Sequence, residues 1–387
     1  MKWICCQLGA REHYAVPRAL QLNGLLDELI TDLWMRSGTL GRFHPELAQA
    51  RVTAPNLGTL LFELKASRLT GWKLIKQRND WFQRRALDQL KKQPSRETRT
   101  VFAYSYAAER IFRFARQRGW KTVLGQIDPG RADEQMVAKV NERFVAERNG
   151  WQPAPPEYWK SWQAECALAD HIVVNSTWSQ NALLSEGVPA EKINVLPLAY
   201  ENPNQESSFQ RHYPTAFTSA RPLRVLFLGQ VSLRKGIGQL FETIQLLAEE
   251  NVEFWFVGPV QLSIPRRLRE HRQVKWFGVA PRSKAETYYQ QADVFIFPTL
   301  SDGFGLTQLE AQSWKLPVVA SRHCGEVVSD GVNGVVLEEV SGQAIAEVLL
   351  KFLRTPEMLK EMSERSGVSD RFSLRALASS LAADFRR

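Results

Sequence analysis

Short apolar runs alternate with helical patterns along the whole chain. In the first half, apolar runs at 3–6, 29–31, 101–104, 122–125, 172–175 and 193–196 predict strands. Helical patterns lie between them at 107–118, 133–147 and 178–186, and Ser176 or Thr177 can cap the last of these. Strands that are apolar on both faces and separated by helices predict a parallel sheet covered on both sides.

The alternation is interrupted once and then starts again. Residues 201–222 are polar, contain three prolines and lack periodicity, so they predict a linker. Ser283-Lys284-Ala285-Glu286 is a capping-box sequence that predicts the start of a helix before residue 294, and a charged amphipathic helix is predicted at about 370–385. The apolar runs after the linker predict strands at 225–228, 254–257, 274–277, 294–297 and 318–321.

A chain of 387 residues is too long for one ordinary core, so two domains are expected. We predict two doubly wound α/β domains, at 1–200 and 223–365, joined by the linker 201–222. The C-terminal ends of both sheets would then meet at one cleft, where such sheets bind ligands. The segment 366–387 is expected to form a helix that packs back on the N-terminal domain.

Composition narrows the class of protein. Hydrophobic residues make up 44% of the chain and charged residues 24%, which is typical of a globular protein. The sequence has no run of eighteen apolar residues and no apolar leader, so export is not expected. Its four cysteines lack metal-ligand spacing and predict buried thiols in a reducing compartment, hence a cytoplasmic protein.

The net charge of +9 is concentrated in one segment. Residues 51–100 contain twelve basic and four acidic residues, interleaved with leucine, phenylalanine and tryptophan. One interpretation is a solvated helix face. Another is contact of residues 57–92 with an anionic membrane, at the inner face of the cell membrane. No RNA-binding motif, zinc finger or helix-turn-helix is present, so a nucleic-acid partner is not expected.

The first candidate for chemistry is "VLFLGQVSLRKGIGQL", residues 225–240. A strand is predicted to end at Gly229, a loop carries Arg234 and Lys235, and Gly236 begins a helix. Cationic side chains beside free N–H groups favour a diphosphate. The spacing fits neither a Walker A loop nor a dinucleotide fingerprint, which argues against an ATPase and a dehydrogenase. A basic surface turn is the alternative.

The second candidate is "SDGFGLTQLEA", residues 301–311. Asp302 and Glu310 flank a glycine loop between a predicted strand and a helix that begins near Leu306. The glycines allow the backbone to approach a ligand closely. Glu310 could accept two hydrogen bonds from a vicinal diol such as a ribose. Alternatively, Asp302 caps the helix and Glu310 forms a local salt bridge.

Taken together, these stretches resemble the family-four retaining glycosyltransferases of the GT-B fold. The resemblance extends over 165–340 and is weak before that. It implies that Glu310 binds the donor ribose, that Asp302 lies near the donor sugar and phosphate, and that Lys235 binds phosphate. The other donor contacts that it implies are Gly229, Gln230, Val279 near the nucleobase, Gly303, and the backbone at Phe304, Gly305, Leu306 and Thr307.

Two positions depart from the family pattern. Gln230 stands where the family usually has an arginine, and we expect Arg234 to supply that charge. Gln126, followed by Asp128, stands where many members have an acceptor-side histidine. His13, in the loop that starts at Gly9, is a candidate to face the cleft instead, and a surface histidine is the alternative.

The resemblance implies transfer of a sugar, with retention, from a nucleotide-diphosphate sugar to a hydroxyl. The acceptor would be a carbohydrate or a lipid-linked molecule of cell-surface polysaccharide or glycolipid synthesis. Asp302, Lys235 and Arg234 are the predicted catalytic residues, and no metal or cofactor is expected. Two alternatives stay open at this point, namely a nucleotide-sugar epimerase of the same fold and a non-catalytic nucleotide-sugar-binding protein.

Overall fold

A computed structural model describes residues 2–35, 44–94, 97–201 and 209–385. The first half of the chain forms a seven-stranded sheet in the order β3-β2-β1-β4-β5-β6-β7, and its described pairings are parallel. Its strands are β1 (Lys2–Gln7), β2 (Leu26–Thr31), β3 (Val52–Thr53), β4 (Arg99–Tyr104), β5 (Lys121–Gly125), β6 (His171–Val174) and β7 (Ile193–Val195).

The second half forms a parallel six-stranded sheet in the order β10-β9-β8-β11-β12-β13. In each sheet the strand order reverses beside the first strand, between β1 and β4 and between β8 and β11. Ligands bind at such switch points in doubly wound sheets. The second sheet consists of β8 (Leu223–Leu228), β9 (Val252–Val257), β10 (Val274–Gly278), β11 (Val294–Phe297), β12 (Val318–Ser321) and β13 (Gly334–Leu337).

Helices connect the strands and cover both faces of the sheets. In the first half they are α1 (Ala15–Leu22), α2 (Asn56–Ala66), α3 (Gly71–Leu90), α4 (Glu109–Gln117), α5 (Arg131–Arg143), α6 (Pro156–Leu168) and α7 (Thr177–Ser185). In the second half they are α8 (Ile237–Leu246), α9 (Arg266–Arg269), α10 (Arg282–Gln291), α11 (Thr307–Ser313), α12 (Gly342–Arg354), α13 (Glu357–Arg365) and α14 (Leu374–Asp384).

The predicted α/β architecture with two parallel sheets is confirmed, and each predicted strand lies within or beside an observed one. Ser176 caps α7, because its hydroxyl accepts a hydrogen bond from the N–H of Ser179. The prediction that residues 283–286 form a capping box was wrong. Helix α10 begins one residue earlier, at Arg282, and Pro281 holds the N-cap position without a side-chain hydrogen bond. The fixed φ of proline suits the residue that leads into a helix.

Two helices join the halves of the chain. Val140 of α5 and the following Phe144 pack into the hydrophobic core of the second sheet. Near the other end of the chain, Leu381 of α14 packs in the core formed by α1 and the first sheet, where the Phe385 ring meets the Trp3 ring edge-on at 5.5 Å. Each half of the chain therefore contributes apolar side chains to the core of the other.

The region between the sheets contains neither helix nor strand in its described part, 209–222. Arg211 is half-buried there, and its guanidinium donates to the backbone carbonyls of Tyr289 and Trp314 at 2.7 and 2.9 Å. This segment is thus fastened to the second half of the chain. Within the described residues, no helix combines the length and the apolarity needed to cross a membrane.

Candidate functional site

A cavity of about 420 Å³ lies between the two halves, at the C-terminal ends of β8 and β11. Both halves of the chain line it. From the second half it receives six of the predicted donor contacts and all three predicted catalytic residues. The lining residues among these are Gly229, Gln230, Arg234, Lys235, Asp302, Phe304, Gly305, Leu306 and Thr307.

The central ion pair of this cavity joins the two loops that the sequence singled out. The ammonium group of Lys235, after β8, forms a salt bridge with the carboxylate of Asp302, after β11. The same ammonium lies 5.0 Å from the centre of the Phe297 ring. Gly236 makes this approach possible, because a Cβ at that position would meet the carbonyl oxygen of Pro298 at 2.0 Å.

Asp302 is held in its ionised form. Burial alone would raise the pKa of its carboxyl, but the charges of Lys235 and Arg234 outweigh burial and lower the pKa below its usual value. The backbone N–H of Phe304 also bonds to this carboxylate. The alternative in which Asp302 caps the following helix was wrong, since Leu306 holds the N-cap position of α11.

Arg234 connects the loop after β8 to the other half of the chain. Its guanidinium donates to the carbonyl of Ser301 at 3.1 Å and lies 3.6 Å from the carboxylate of Asp133 on α5. Burial would lower the pKa of Arg234, but the negative charges of Asp302 and Asp133 raise it overall. Gln230 lines the same cavity, and the replacement of the family's arginine by Arg234 stays a prediction.

The glycine loop touches the first half of the chain directly. A Cβ on Gly303 would lie 2.3 Å from the carbonyl oxygen of Ile127, so only glycine allows this contact. Gly305 has a φ of +87°, a backbone conformation that residues other than glycine rarely adopt. The ring of Phe304 is buried against that of Phe372, at 5.9 Å between centres. The loop is therefore fixed from both sides.

Glu310 lies on α11, one turn after the loop. Its carboxylate accepts a hydrogen bond of 2.7 Å from the hydroxyl of the buried Tyr289. Its described partner is thus a phenol, and not the cation of the salt bridge considered above. One oxygen of the carboxylate is thereby held, and Glu310 is not among the residues that line the cavity. Val279, which was predicted to lie near a nucleobase, follows β10, is 73% exposed and is not part of the cavity lining.

A second cavity, of about 630 Å³, opens at the C-terminal edge of the first sheet. It shares Arg11 and Ile127 with the first cavity, so the two adjoin. Gly9 and Asp128, both predicted acceptor-side residues, line it. Asp128 accepts a hydrogen bond of 2.5 Å from the hydroxyl of Tyr106, another lining residue.

Gln126 lies behind this cavity. It is buried, its amide nitrogen donates to Asp128 at 3.0 Å, and its amide oxygen accepts from the indole N–H of Trp162 at 2.9 Å. It therefore orients Asp128 from below and does not line either cavity. His13 is exposed, with its ring 6.3 Å from that of His44, and does not line them either. The structure thus brings Gly9 and Asp128 to the cavity, but neither Gln126 nor His13.

The sequence reasoning missed Glu12, which lines the cavity between the halves. Its carboxylate accepts a hydrogen bond of 3.0 Å from Tyr104. Burial raises its pKa to about 7, although that bond and the charge of Arg11 act in the opposite direction. Glu12, His13 and Tyr14 have φ values of 51°, 52° and 58°, and such strained backbone is concentrated at functional sites. No sequence signal marks such a run of non-glycine residues.

Asp133 was also missed, because in the sequence it is one of several acids in a helix. Its pKa is raised by burial, which the charge of Arg234 partly opposes. Within the described residues, no group of three or more histidine, cysteine or acidic side chains could hold a metal ion. That no metal or cofactor is needed stays a prediction.

Comparison with known proteins agrees with this geometry. Residues 222–355 match the family model of the glycosyl transferases group 1. The amylovoran biosynthesis glycosyltransferase AmsK of Erwinia amylovora is 28% identical over 195 residues, 46% of this chain and 46% of its own length. A D-inositol 3-phosphate glycosyltransferase of Thermobifida fusca is 36% identical over 273 residues, 64% of this chain and 61% of its own.

The chain therefore spans about half to three fifths of the length of these relatives. Among solved structures, Anabaena HepE in complex with UDP superposes with a TM-score of 0.64 at 15% identity, covering 99% of both chains. These similarities give no support to the epimerase or to the non-catalytic binding protein. The chain has the GT-B fold, and the match to the glycosyl transferases group 1 covers its residues 222–355.

Proposed function

We propose that the protein transfers a sugar from a nucleotide-diphosphate sugar to a hydroxyl acceptor, with retention of anomeric configuration. One observation carries the proposal. Lys235, Arg234 and residues 304–307 of the glycine loop converge on a single cavity that both halves of the chain line. Glycosyltransferases among the relatives support it, and AmsK is named for the biosynthesis of a polysaccharide, amylovoran.

The leaving diphosphate would be bound by cations. Negative charge develops on it as the glycosidic bond breaks, and fixed positive groups in a site shielded from water lower the energy of that state. Lys235 and Arg234 are both held in place, by Asp302 and Asp133 respectively. They need little rearrangement when the charge develops.

The nucleotide would extend toward α11. Glu310 is preoriented by Tyr289 and has a second oxygen for the ribose hydroxyls. HepE, which shares the fold, was solved with UDP. We infer a nucleotide-diphosphate donor for the present chain from this likeness and from the paired cations.

Retention would not require a carboxylate nucleophile. Asp302 is bound by Lys235 and by the backbone N–H of Phe304, so it is suited to positioning the donor sugar. We propose that the departing phosphate accepts the proton of the acceptor hydroxyl. The acceptor, a carbohydrate or a lipid-linked molecule, would enter from the adjoining cavity that contains Asp128 and Tyr106. We expect no metal ion or cofactor, and a location at the cytosolic face of a membrane.

The test is a thermal-shift screen of the full chain against a panel of nucleotide-diphosphate sugars, because a ligand of the native state raises the melting temperature. The sugar that gives the largest shift is then incubated with the protein, and the products are followed by proton NMR. Release of a sugar with the anomeric configuration of the donor supports retention. An isomerised nucleotide-sugar would instead indicate an epimerase, and the opposite anomer would contradict retention.

A further inference from the structure

Helix α2 presents its largest apolar side chains to solvent. Four leucines at helical spacing, here called the leucine stripe, form its outer face. Their exposed fractions are 77% for Leu57, 56% for Leu60, 59% for Leu61 and 72% for Leu64. A contiguous exposed apolar surface of this kind marks an interaction site more often than a scattered single residue does.

The opposite face of α2 explains why the leucines point outward. Thr59 is buried, and its hydroxyl donates to the carbonyl of Asp32 at 2.5 Å. The Phe62 ring stacks on that of Trp81 in α3, with 5.1 Å between centres. Ala66, one turn later on the same face, is buried as well. The helix is therefore already docked through this face, and the leucine stripe is not needed to hold it in place.

The segment that contains the leucine stripe is also basic. Within 57–92 there are nine basic and three acidic residues, which gives a net charge of +6. The described basic side chains of this segment that are exposed are Lys65, Arg68, Lys73, Lys76, Arg84, Arg85, Lys91 and Lys92. Exposed apolar side chains of a helix, combined with exposed lysine and arginine in the same segment, are typical of segments that bind the interface of an anionic bilayer.

The same helix borders the acceptor-side cavity. Glu63 of α2 and Arg78 of α3 line that cavity and form a bidentate ion pair at 2.7 and 2.8 Å. Ile75, which is partly exposed, lines it too. A surface that seats on the leucine stripe would thus lie next to the cavity mouth.

We propose that the leucine stripe of α2 inserts into an anionic lipid bilayer, with the lysines and arginines of 57–92 on the lipid headgroups. The cavity beside it then receives an acceptor whose glycosyl group stands at the bilayer surface. Only this consequence for the acceptor rests on the proposed function. The occupant is a bilayer and not a protein, because the positive charge matches anionic lipid headgroups.

The experiment is co-sedimentation of the full chain with vesicles of phosphatidylglycerol and phosphatidylcholine, and with phosphatidylcholine vesicles alone. The wild type is expected to pellet with the anionic vesicles only. Leu60→Gln combined with Leu64→Gln should weaken partitioning on the order of a hundredfold, about tenfold for each leucine removed. The matched control, Leu184→Gln with Leu246→Gln, changes two other exposed leucines and should pellet like the wild type.

The charged part of the surface has its own test. Lys73→Gln with Lys76→Gln should weaken partitioning on the order of tenfold at low salt, and the difference should shrink at high salt. Leu60 and Leu64 are both exposed, so the melting temperature of Leu60→Gln/Leu64→Gln should match that of the wild type. The proposal would be overturned if Leu60→Gln/Leu64→Gln pelleted with anionic vesicles like the wild type. It would also be overturned if the wild type did not pellet with them.

Two further readouts separate the possible failures. Sedimentation equilibrium without lipid shows whether the stripe instead joins two copies of the chain. A dimer lost in Leu60→Gln/Leu64→Gln would overturn the bilayer as occupant. Thermal shift by UDP, measured on the same preparations, reports the donor cavity. UDP binding without vesicle binding would refute only the surface, whereas vesicle binding without a response to any nucleotide-sugar would refute only the transferase.

Discussion

The two walls of the cleft are built in different ways. The wall from the second sheet takes its charged groups from loops after two adjacent strands, β8 and β11, and from the short helix that follows. The wall from the first sheet takes Arg11, Asp128 and Tyr158 from three separate segments, after β1, after β5 and in α6. Phosphate and ribose can be bound by a compact motif, whereas the opposite wall is assembled from distant parts of the sequence.

The walls nevertheless contact each other directly. Asp133 of the first half pairs with Arg234 of the second, and Gly303 touches the carbonyl of Ile127. Under the proposed function the wall from the second sheet binds the donor, and we call it the donor wall. Loss of a group on this wall should affect turnover strongly. Loss of a group on the other wall should change stability and pH dependence more than donor affinity.

The largest effect is expected for Lys235→Ala. The change would remove a cation from the proposed leaving diphosphate, and it leaves the half-buried Asp302 without its salt-bridge partner. Removal of one such stabilising group typically lowers kcat by about 10²- to 10³-fold. Steady-state release of the nucleoside diphosphate from the donor found in the screen measures it.

Lys275→Ala is the control for that variant. Lys275 lies in the same sheet, in β10, and its ammonium is 3.7 Å from the carboxylate of Glu253, away from the cavity. The kcat of Lys275→Ala should equal that of the wild type. If Lys235→Ala also stayed within about threefold of the wild type, the donor wall would be wrongly assigned.

The next largest effect is expected for Glu310→Ala. A hydrogen bond to a charged group contributes about 1.5–3 kcal/mol, so the donor KM should rise roughly tenfold to a hundredfold. Because Glu310 would contact the nucleotide and not the reacting bond, kcat should change far less. Tyr289→Phe, which removes the phenol that orients this carboxylate, should raise KM in the same direction by a smaller factor. A fall in kcat at constant KM would contradict the ribose assignment.

An intermediate effect tests whether Arg234 replaces the family's arginine at position 230. Arg234→Ala should lower kcat/KM on the order of tenfold, since a charge-assisted contact to phosphate is lost. Adding Gln230→Arg to that variant should restore part of the loss, because both positions line the same cavity. Asp133→Asn keeps the arginine and serves as the control. No recovery in the double variant would show that the two positions are not equivalent.

The sequence predicted most of the fold, and also that the loops after β8 and β11 meet at one cavity, for a physical reason. Buried parallel strands are continuous apolar runs, and glycines that permit close approach leave a visible pattern, as around Asp302. The acceptor wall could not be predicted in the same way. Gln126 occupies a plausible position, but only the fold shows that its amide bonds to Asp128 and Trp162 below the cavity. For residues 57–92 the sequence left a solvated helix face and a membrane contact open, and only the structure shows which leucines of α2 are exposed.

The smallest effects on turnover are expected from two adjacent residues of the first wall. His13→Ala should keep kcat/KM within about twofold of the wild type, because His13 lines neither cavity. Glu12→Gln should instead change how stability depends on pH. Its folded pKa of about 7 lies above the unfolded value of 4.5, so native protein retains a proton that the unfolded chain releases.

The free energy of unfolding of the wild type should therefore fall as pH rises through this interval. Stability from this carboxyl is fully present below pH 4.5 and is lost as pH passes about 7. Glu165, whose pKa burial also raises to about 7, adds a similar dependence, so the difference between wild type and Glu12→Gln isolates one group. Urea unfolding at pH values on either side of the interval measures it. An identical pH dependence in both proteins would show that Glu12 is not protonated in the cleft near neutral pH.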